Sequence, residues 1–391
     1  MKQVILKIWE KVKYLDFSLI LCYILLGLVG VVMVYSASMV AASKGTLTNG
    51  LPIKANHFMT RQLIFFVLGL GIVLFFSLFL NLNAFKRSGT QQFIVLATLA
   101  LLLITVLVGK EINGSRNWIN LGFFSLQSSE FLKLTSIFYL SYIIDRRLSL
   151  KIDYSVKQLI PPLALLGIGL FLVLLQGDLG GTLLTVAIIA CILLYSDIKN
   201  KIKLQILGVT LVPMLLYIIY TLIFDVKNVY RLRRLQVVID PFKYENSDGY
   251  QLTTALTSIA NGGLTGRGLG NGISKLGYLP EPHTDFIFTV ISEEMGLLGV
   301  VCVLIVYAVI LVKGLIYANK TTDHFYKLVC IGIVSYIFVQ VFINLAGVSG
   351  MIPLTGVTLP MLSYGGSSML SISLAIGTLM AVARKINAGG A

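Results

Sequence analysis

The stretch "FSLILCYILLGLVGVVMVYSAS" (17–38) carries no charge from end to end. As a helix it is long enough to cross the ~30 Å hydrocarbon core of a bilayer. It is the first of ten comparable stretches, followed by 61–82, 91–109, 128–145, 158–176, 179–196, 203–224, 286–312, 326–348 and 364–383. In lipid each must satisfy its own backbone hydrogen bonds, so each must be a helix. The expected fold is all-α and integral to the membrane, with about ten transmembrane helices in one polytopic domain over 1–391. Composition agrees: 57% of the chain is apolar and 12% charged, whereas a soluble domain carries about a quarter charged residues. The fifth and sixth stretches are nearly continuous, and a hairpin is inferred at "QGDLGG" (176–181).

Charge sets the expected orientation. Of the 31 Lys and Arg, 18 fall in segments that are cytoplasmic if the N-terminus is inside, 7 in the loop 225–285 and 6 elsewhere. Long translocated loops are largely exempt from the positive-inside bias, so the comparison that counts is 18 against 6. Both termini are expected in the cytoplasm, with 225–285 as a large extracellular loop between helices 7 and 8. The first span is too long for a cleaved signal peptide and lacks a small-x-small site before a soluble domain. The leader "MKQVILKIWEKVKYLDF" reads either as an amphipathic helix on an anionic leaflet or as a short basic topogenic tail. A net charge of +14 is mostly topogenic; without aromatic-interleaved basic patches it indicates no nucleic-acid partner. Cys22, Cys191, Cys302 and Cys330 lie inside spans at unrelated spacings and suggest neither disulfides nor zinc. Three scattered histidines cannot build a metal site unaided.

Four outward stretches are unusually polar: 110–134, Asp178, 225–285 and 347–369. In the first, Ser128 is placed to cap the fourth span, with Glu130 in the first turn, where the helix dipole favours an anion. Glu130 and Lys133 are three apart on one face and can pair. They form either a structural ion pair or part of a cavity wall where Lys133 and Arg116 meet an anion. Asp178, between glycines, reads first as a turn residue. "NGGLTGRGLGNG" (261–272) implies positive φ or close backbone approach, yet lacks the Gly-x-x-x-x-Gly-Lys-Ser/Thr of a P-loop. Arg267 and Lys275 supply cations nearby. Glu293 and Glu294, adjacent within an apolar helix, are costly unless paired or wet, and point to a functional cavity. The stretch 347–369, without charge but rich in Gly, Pro and hydroxyls, fits a re-entrant loop closing that cavity. Gly296, Gly299 and Gly332 would permit a partner helix to approach spans eight and nine closely.

"MVYSAS" (33–38), "GSRNWINLG" (114–122), "QSSEFLK" (127–133), "QGDLG" (176–180), "LGYLPEPHTDFIF" (276–288), "SEEMG" (292–296) and "PMLSYGGSSM" (360–369) follow one another in the order seen in the SEDS family. The chain resembles that family of membrane peptidoglycan polymerases of shape, elongation, division and sporulation over nearly its whole length. It departs from the family pattern at Ser128 and Gly177, where Pro is usual, at Gly181, where Thr is usual, and at Ser292, where Gly is usual. No charged group is lost. "MVYSAS", and Lys275 ten residues before Asp285, are more like the division branch than the elongation branch.

The resemblance implies a peptidoglycan glycosyltransferase that polymerises lipid II into β-1,4 glycan at the outer leaflet of the bacterial plasma membrane, at the division septum. The family's essential acid falls on Asp285, as general base. Arg116 and Lys133 are then the expected diphosphate clamps, with Lys275 and Arg267 in support, and Glu130 and Ser367 are counted with the substrate-binding set. A divalent cation, Mg or Mn, is compatible with this chemistry; the sequence neither supplies nor excludes a site. The implied partners are lipid II, a class B penicillin-binding protein transpeptidase and other divisome membrane proteins. A lipid II flippase and a non-catalytic division scaffold are the competing readings. Transport favours polar groups across the membrane's thickness, whereas here they gather near one face.

Overall fold

Most of the apolar runs fold as helices that are apolar on every side, the pattern of segments surrounded by lipid or by other helices. The structure, a computed structural model, describes residues 9–45, 51–112, 115–122, 124–149, 156–205, 207–208, 219 and 236–390. Its helices are α1 (Phe17–Ser43), α2 (His57–Phe79), α3 (Ser88–Val108), α4 (Ser128–Ser149), α5 (Val156–Leu175), α6 (Leu179–Tyr195), α7 (Tyr250–Gly262), α8 (Ile287–Lys320), α9 (His324–Val348) and α10 (Gly366–Asn387). Six of them, α1, α2, α3, α8, α9 and α10, are long and apolar enough to cross a membrane. The chain is a multi-pass membrane protein. Helices occur at every expected span except 203–224, which lies largely outside the described residues.

Two expectations need correction. The fold is mostly helical rather than all-α: β1 (Lys110–Ile112), β2 (Ser115–Asn120) and β3 (Ser125–Gln127) form an antiparallel sheet in the order β1-β2-β3. Trp118 sits opposite both Lys110 and Gln127, so the stretch between α3 and α4 folds back twice and pairs its own backbone. Nor are Gly296 and Gly332 free for a partner helix. A Cβ on Gly332 would lie 2.6 Å from Ile137 of α4, and one on Gly296 would lie 2.3 Å from the Gly266 nitrogen.

Gly296 is a break in α8, with φ 65°. The freed backbone groups are taken up by the glycine-rich loop that follows α7. Leu297 and Leu298 donate to the carbonyls of Gly263 and Leu264, while Arg267 and Gly268 donate to those of Glu293 and Glu294. Irregular backbone near membrane depth persists only when it is satisfied in this way. The fit explains the loop composition: a Cβ on Gly262 would lie 2.0 Å from the Ser292 carbonyl, and one on Gly266 2.2 Å from that of Glu294.

The α9 helix is central, packing against α4, α6, α8 and α10, while α10 lies along α2. Gly69 permits the latter approach, since a Cβ there would meet Ser373 Oγ at 2.4 Å. Helices α1 and α8 run antiparallel, joined at one end by Lys313 to Asp16 (2.9 Å) and at the other by Ser36 to Glu294 (2.8 Å). The unusual polar residues gather at this second end.

Candidate active site

Asp285 is the last residue but one of the segment "LPEPHTDF" (279–286), just before α8. Three consecutive carbonyls of that segment are gripped from outside it. Tyr364 N–H donates to His283 O (2.8 Å), Ser363 Oγ to Thr284 O (2.7 Å) and Asn344 Nδ2 to Asp285 O (2.9 Å). Asn344 also donates to Val357 O at 2.7 Å, so α9 ties the Asp285 segment to the loop between α9 and α10. Leu279 and Phe286 pack with Ala255 of α7 and Val348 of α9 beneath this grip.

The carboxylate itself is left free. It is partly exposed and accepts no hydrogen bond among the described residues, with Gly356 against Oδ2. Burial pushes the Asp285 carboxyl up to about 6, and the charge of Glu281 adds to the shift. A carboxylate poised near neutrality, fixed through its backbone and unengaged at its oxygens, suits proton abstraction. His283 is buried beside two aromatic rings. Its ring lies 4.6 Å from Phe58 and 5.5 Å from Tyr364, and burial drives it down to about 4, so it is neutral at pH 7.

Glu130 and Lys133 pair at 2.6 Å and are both buried. Glu130 also accepts from Tyr336 (2.7 Å) and Ser371 (2.8 Å), which joins α4, α9 and α10. Ser371 Oγ also lies 3.0 Å from Ser368 O, and Ser368 Oγ accepts from Thr358 and from Gln340 of α9. A chain of polar contacts therefore runs from Glu130 to the loop that holds Asp285. Ser128 does not cap α4: it is the first helical residue, and its hydroxyl reaches Gln176 at 3.4 Å. Asp178 caps α6 through Gly181 N–H (2.7 Å) and also accepts from Ser129 and Gln127.

The remaining expected residues differ in how they are held. Ser367 accepts from Gln127 N–H and donates to Ser125 O, pinning β3 to the start of α10. Arg116, on β2, is exposed and pairs with Glu111 at 3.3 Å. Arg267 is exposed on the glycine-rich loop. Lys275 is enclosed, donating to Glu294 (2.6 Å) and Ser36 (2.7 Å). Glu293 and Glu294 are paired rather than free acids: they bind the loop 270–275 through its N–H groups, Ser274 and Lys275. Among the described residues, no three His, Cys, Asp or Glu side chains converge on a metal position.

Sequence reading missed Gln340, Asn344, Thr358 and Ser363 as groups that hold the site. Tyr336, Gln340 and Asn344 recur every four residues in an otherwise apolar helix, which puts them on one face. That periodicity was the available signal.

The family model for FtsW/RodA/SpoVE cell-cycle proteins matches residues 16–388. The chain is 37% identical over 372 residues to the probable peptidoglycan glycosyltransferase FtsW of Bacillus subtilis (strain 168), covering 95% of this chain and 91% of that protein. A chain from "Structural coordination of polymerization and crosslinking by a peptidoglycan synthase complex" aligns with a TM-score of 0.74 and 27% identity, over 95% of this chain and 98% of that one. The rod shape determining protein RodA of Thermus thermophilus aligns with a TM-score of 0.65 and 25% identity, over 95% and 97%. With its motifs in family order and its fold shared from end to end, the chain belongs to the FtsW/RodA/SpoVE family.

Proposed function

We propose that this chain is a peptidoglycan glycosyltransferase of cell division, polymerising lipid II with Asp285 as general base. The observation that carries the assignment is the Asp285 carboxylate, raised to about 6, held by its backbone and bound by no donor among the described residues. The 4-hydroxyl oxygen of the incoming N-acetylglucosamine attacks the anomeric carbon of the growing strand. As that C–O bond forms, the bond to undecaprenyl diphosphate breaks, the hydroxyl proton passes to Asp285 and the anomeric centre inverts. The leaving diphosphate carries the electron pair away and needs cationic stabilisation.

Arg116 is the cation most available to supply it, because its guanidinium is exposed and, among the described residues, held only by Glu111. Arg267 is available in the same way from the glycine-rich loop. Lys133 is committed to Glu130, so it reaches diphosphate only by leaving that partner; until then the pair, with Ser371 and Tyr336, sets the junction of α4, α9 and α10. Ser367 fixes β3, and Lys275 fixes the loop preceding Asp285. A divalent cation, if used, would be held by Glu281 beside Asp285, since Mg²⁺ commonly takes one or two carboxylates. When bound, it would offset charge on the leaving group.

The proposal places the chain as one polytopic domain in the bacterial plasma membrane at the septum. It has ten spans, both termini inside and the 225–285 loop outside. Its partners are a class B penicillin-binding protein, which would cross-link the strands, and other divisome membrane proteins. The test is direct: purified chain, with and without the transpeptidase, is incubated with lipid II and assayed for glycan strands. Strand synthesis that Asp285→Asn abolishes is expected. Lipid II crossing vesicle membranes without any polymer would replace the enzyme by a flippase.

A further inference from the structure

Beside the Asp285 segment lies a concavity of about 360 Å³, between α7, the segment before it and residues 273–278. We infer that this groove binds the neutral sugar face of the glycan strand, a subsite for product outside the reacting centre; the inference rests on the glycosyltransferase reading. The α7 helix has two unlike faces. Leu252 and Ala255 turn inward, and Ala255 packs with Leu279, Phe286 and Val348. Tyr250, Thr254, Thr257 and Asn261 line the groove instead.

The lining matches the chemistry of an N-acetylated hexose polymer. Phe242 and Tyr278 are each 57% exposed and Tyr250 42%, so three aromatic rings face solvent where sugar C–H faces can stack. Thr257 and Ser258 spend their protons on the carbonyls of Thr253 and Thr254, leaving their oxygens to accept from sugar hydroxyls. Among the described residues, Thr254, Asn246 and Asn261 have side chains that make no hydrogen bond, so they retain both donors and acceptors. Glu293 at the base is saturated by Ile273 and Ser274 and gives the floor a fixed shape. Such a hydroxyl-rich floor is poor material for a protein hot spot, where Ser and Thr are under-represented. Location adds to the case: Leu279 and Phe286 belong to the segment carrying Asp285, so the groove is built on the same support as the proposed base.

The test uses the full chain in lipid nanodiscs and a soluble β-1,4 tetramer of N-acetylglucosamine. Saturable binding by the unaltered chain is expected. The combined variant Thr254→Val, Thr257→Val, Asn261→Leu should weaken it at least about fivefold, the loss of one or more net hydrogen bonds. Thr254→Ser, which keeps the hydroxyl, should bind as the unaltered chain does. With lipid II as substrate, mean strand length should fall in the triple variant by more than the rate of lipid II consumption falls. No saturable binding, or equal binding by the triple variant at an unchanged melting temperature, overturns the groove. So does a triple variant that keeps the tetramer but loses co-purification with the transpeptidase, which would make the surface a protein dock. A chain that binds tetramer but makes no strand refutes the glycosyltransferase reading and leaves the groove standing; a chain that makes strands and ignores tetramer does the reverse.

Discussion

Three carboxylates lie within ten residues of one another and are treated in opposite ways. Glu293 accepts from Ile273 N–H, Ser274 N–H and Ser274 Oγ, and Glu294 from Gly270 N–H, Ser36 and Lys275. Asp285 accepts from nothing among the described residues, although its backbone carbonyl and its two predecessors are all gripped. The presence of an acid is therefore a poor guide to chemistry at this end of the bundle. One whose oxygens are engaged by donors is a fastener, whereas one with vacant lone pairs and a rigid mount is a reagent.

The contrast fails or holds on four measurements, the largest effect first. Asp285→Asn keeps shape and removes basicity, so polymerisation should fall by about a thousandfold or more. Its melting temperature should be unchanged or higher, because a poorly solvated charge has been removed. Near-normal strand synthesis would end the assignment. Glu294→Gln should act on stability instead, costing about 3–5 kcal/mol by leaving Lys275 enclosed without a counter-charge. Adding Lys275→Met should recover much of that loss in thermal melts; no recovery would mean the pair is not the fastener described.

The third measurement is pH dependence. A base raised to about 6 must be deprotonated to work, so turnover should drop about tenfold per pH unit below 6 and level off above it. For stability the sign is reversed: a carboxyl whose folded value is raised favours the folded state when protonated. Its contribution is present at pH 4 and is lost as pH rises through about 6. Asp285→Asn should flatten that part of the stability profile. The smallest effect belongs to Arg116→Ala. Its exposed pair with Glu111 is worth under about 1 kcal/mol, so melting should barely move. Lipid II use should fall about tenfold if Arg116 meets diphosphate. Equal losses in activity and melting would make it structural.

The helices were legible because membrane spans announce themselves by length and apolarity alone. The small sheet was not: residues 110–127 alternate weakly, and short strands paired only with each other leave little periodic trace. Asp285 was legible through the family resemblance, and the Glu130–Lys133 pair followed from i, i+3 spacing. What Glu293 and Glu294 hold was not legible, since most of their partners are backbone N–H groups about twenty residues upstream, which no side-chain pattern reveals. The same blindness hid the meaning of the glycines. Their purpose lies in the carbonyls they approach, at Ser292 and Glu294.

The break at Gly296 has a consequence for amide exchange. Leu297 and Leu298 sit in a helix, and Arg267 and Gly268 in a loop, yet each pair donates to the other's segment. Deuterium should enter all four amides at a common slow rate, set by undocking of the loop rather than by fraying of α8. A stretch that secondary structure assigns to an open turn would then exchange with the kinetics of a helix interior.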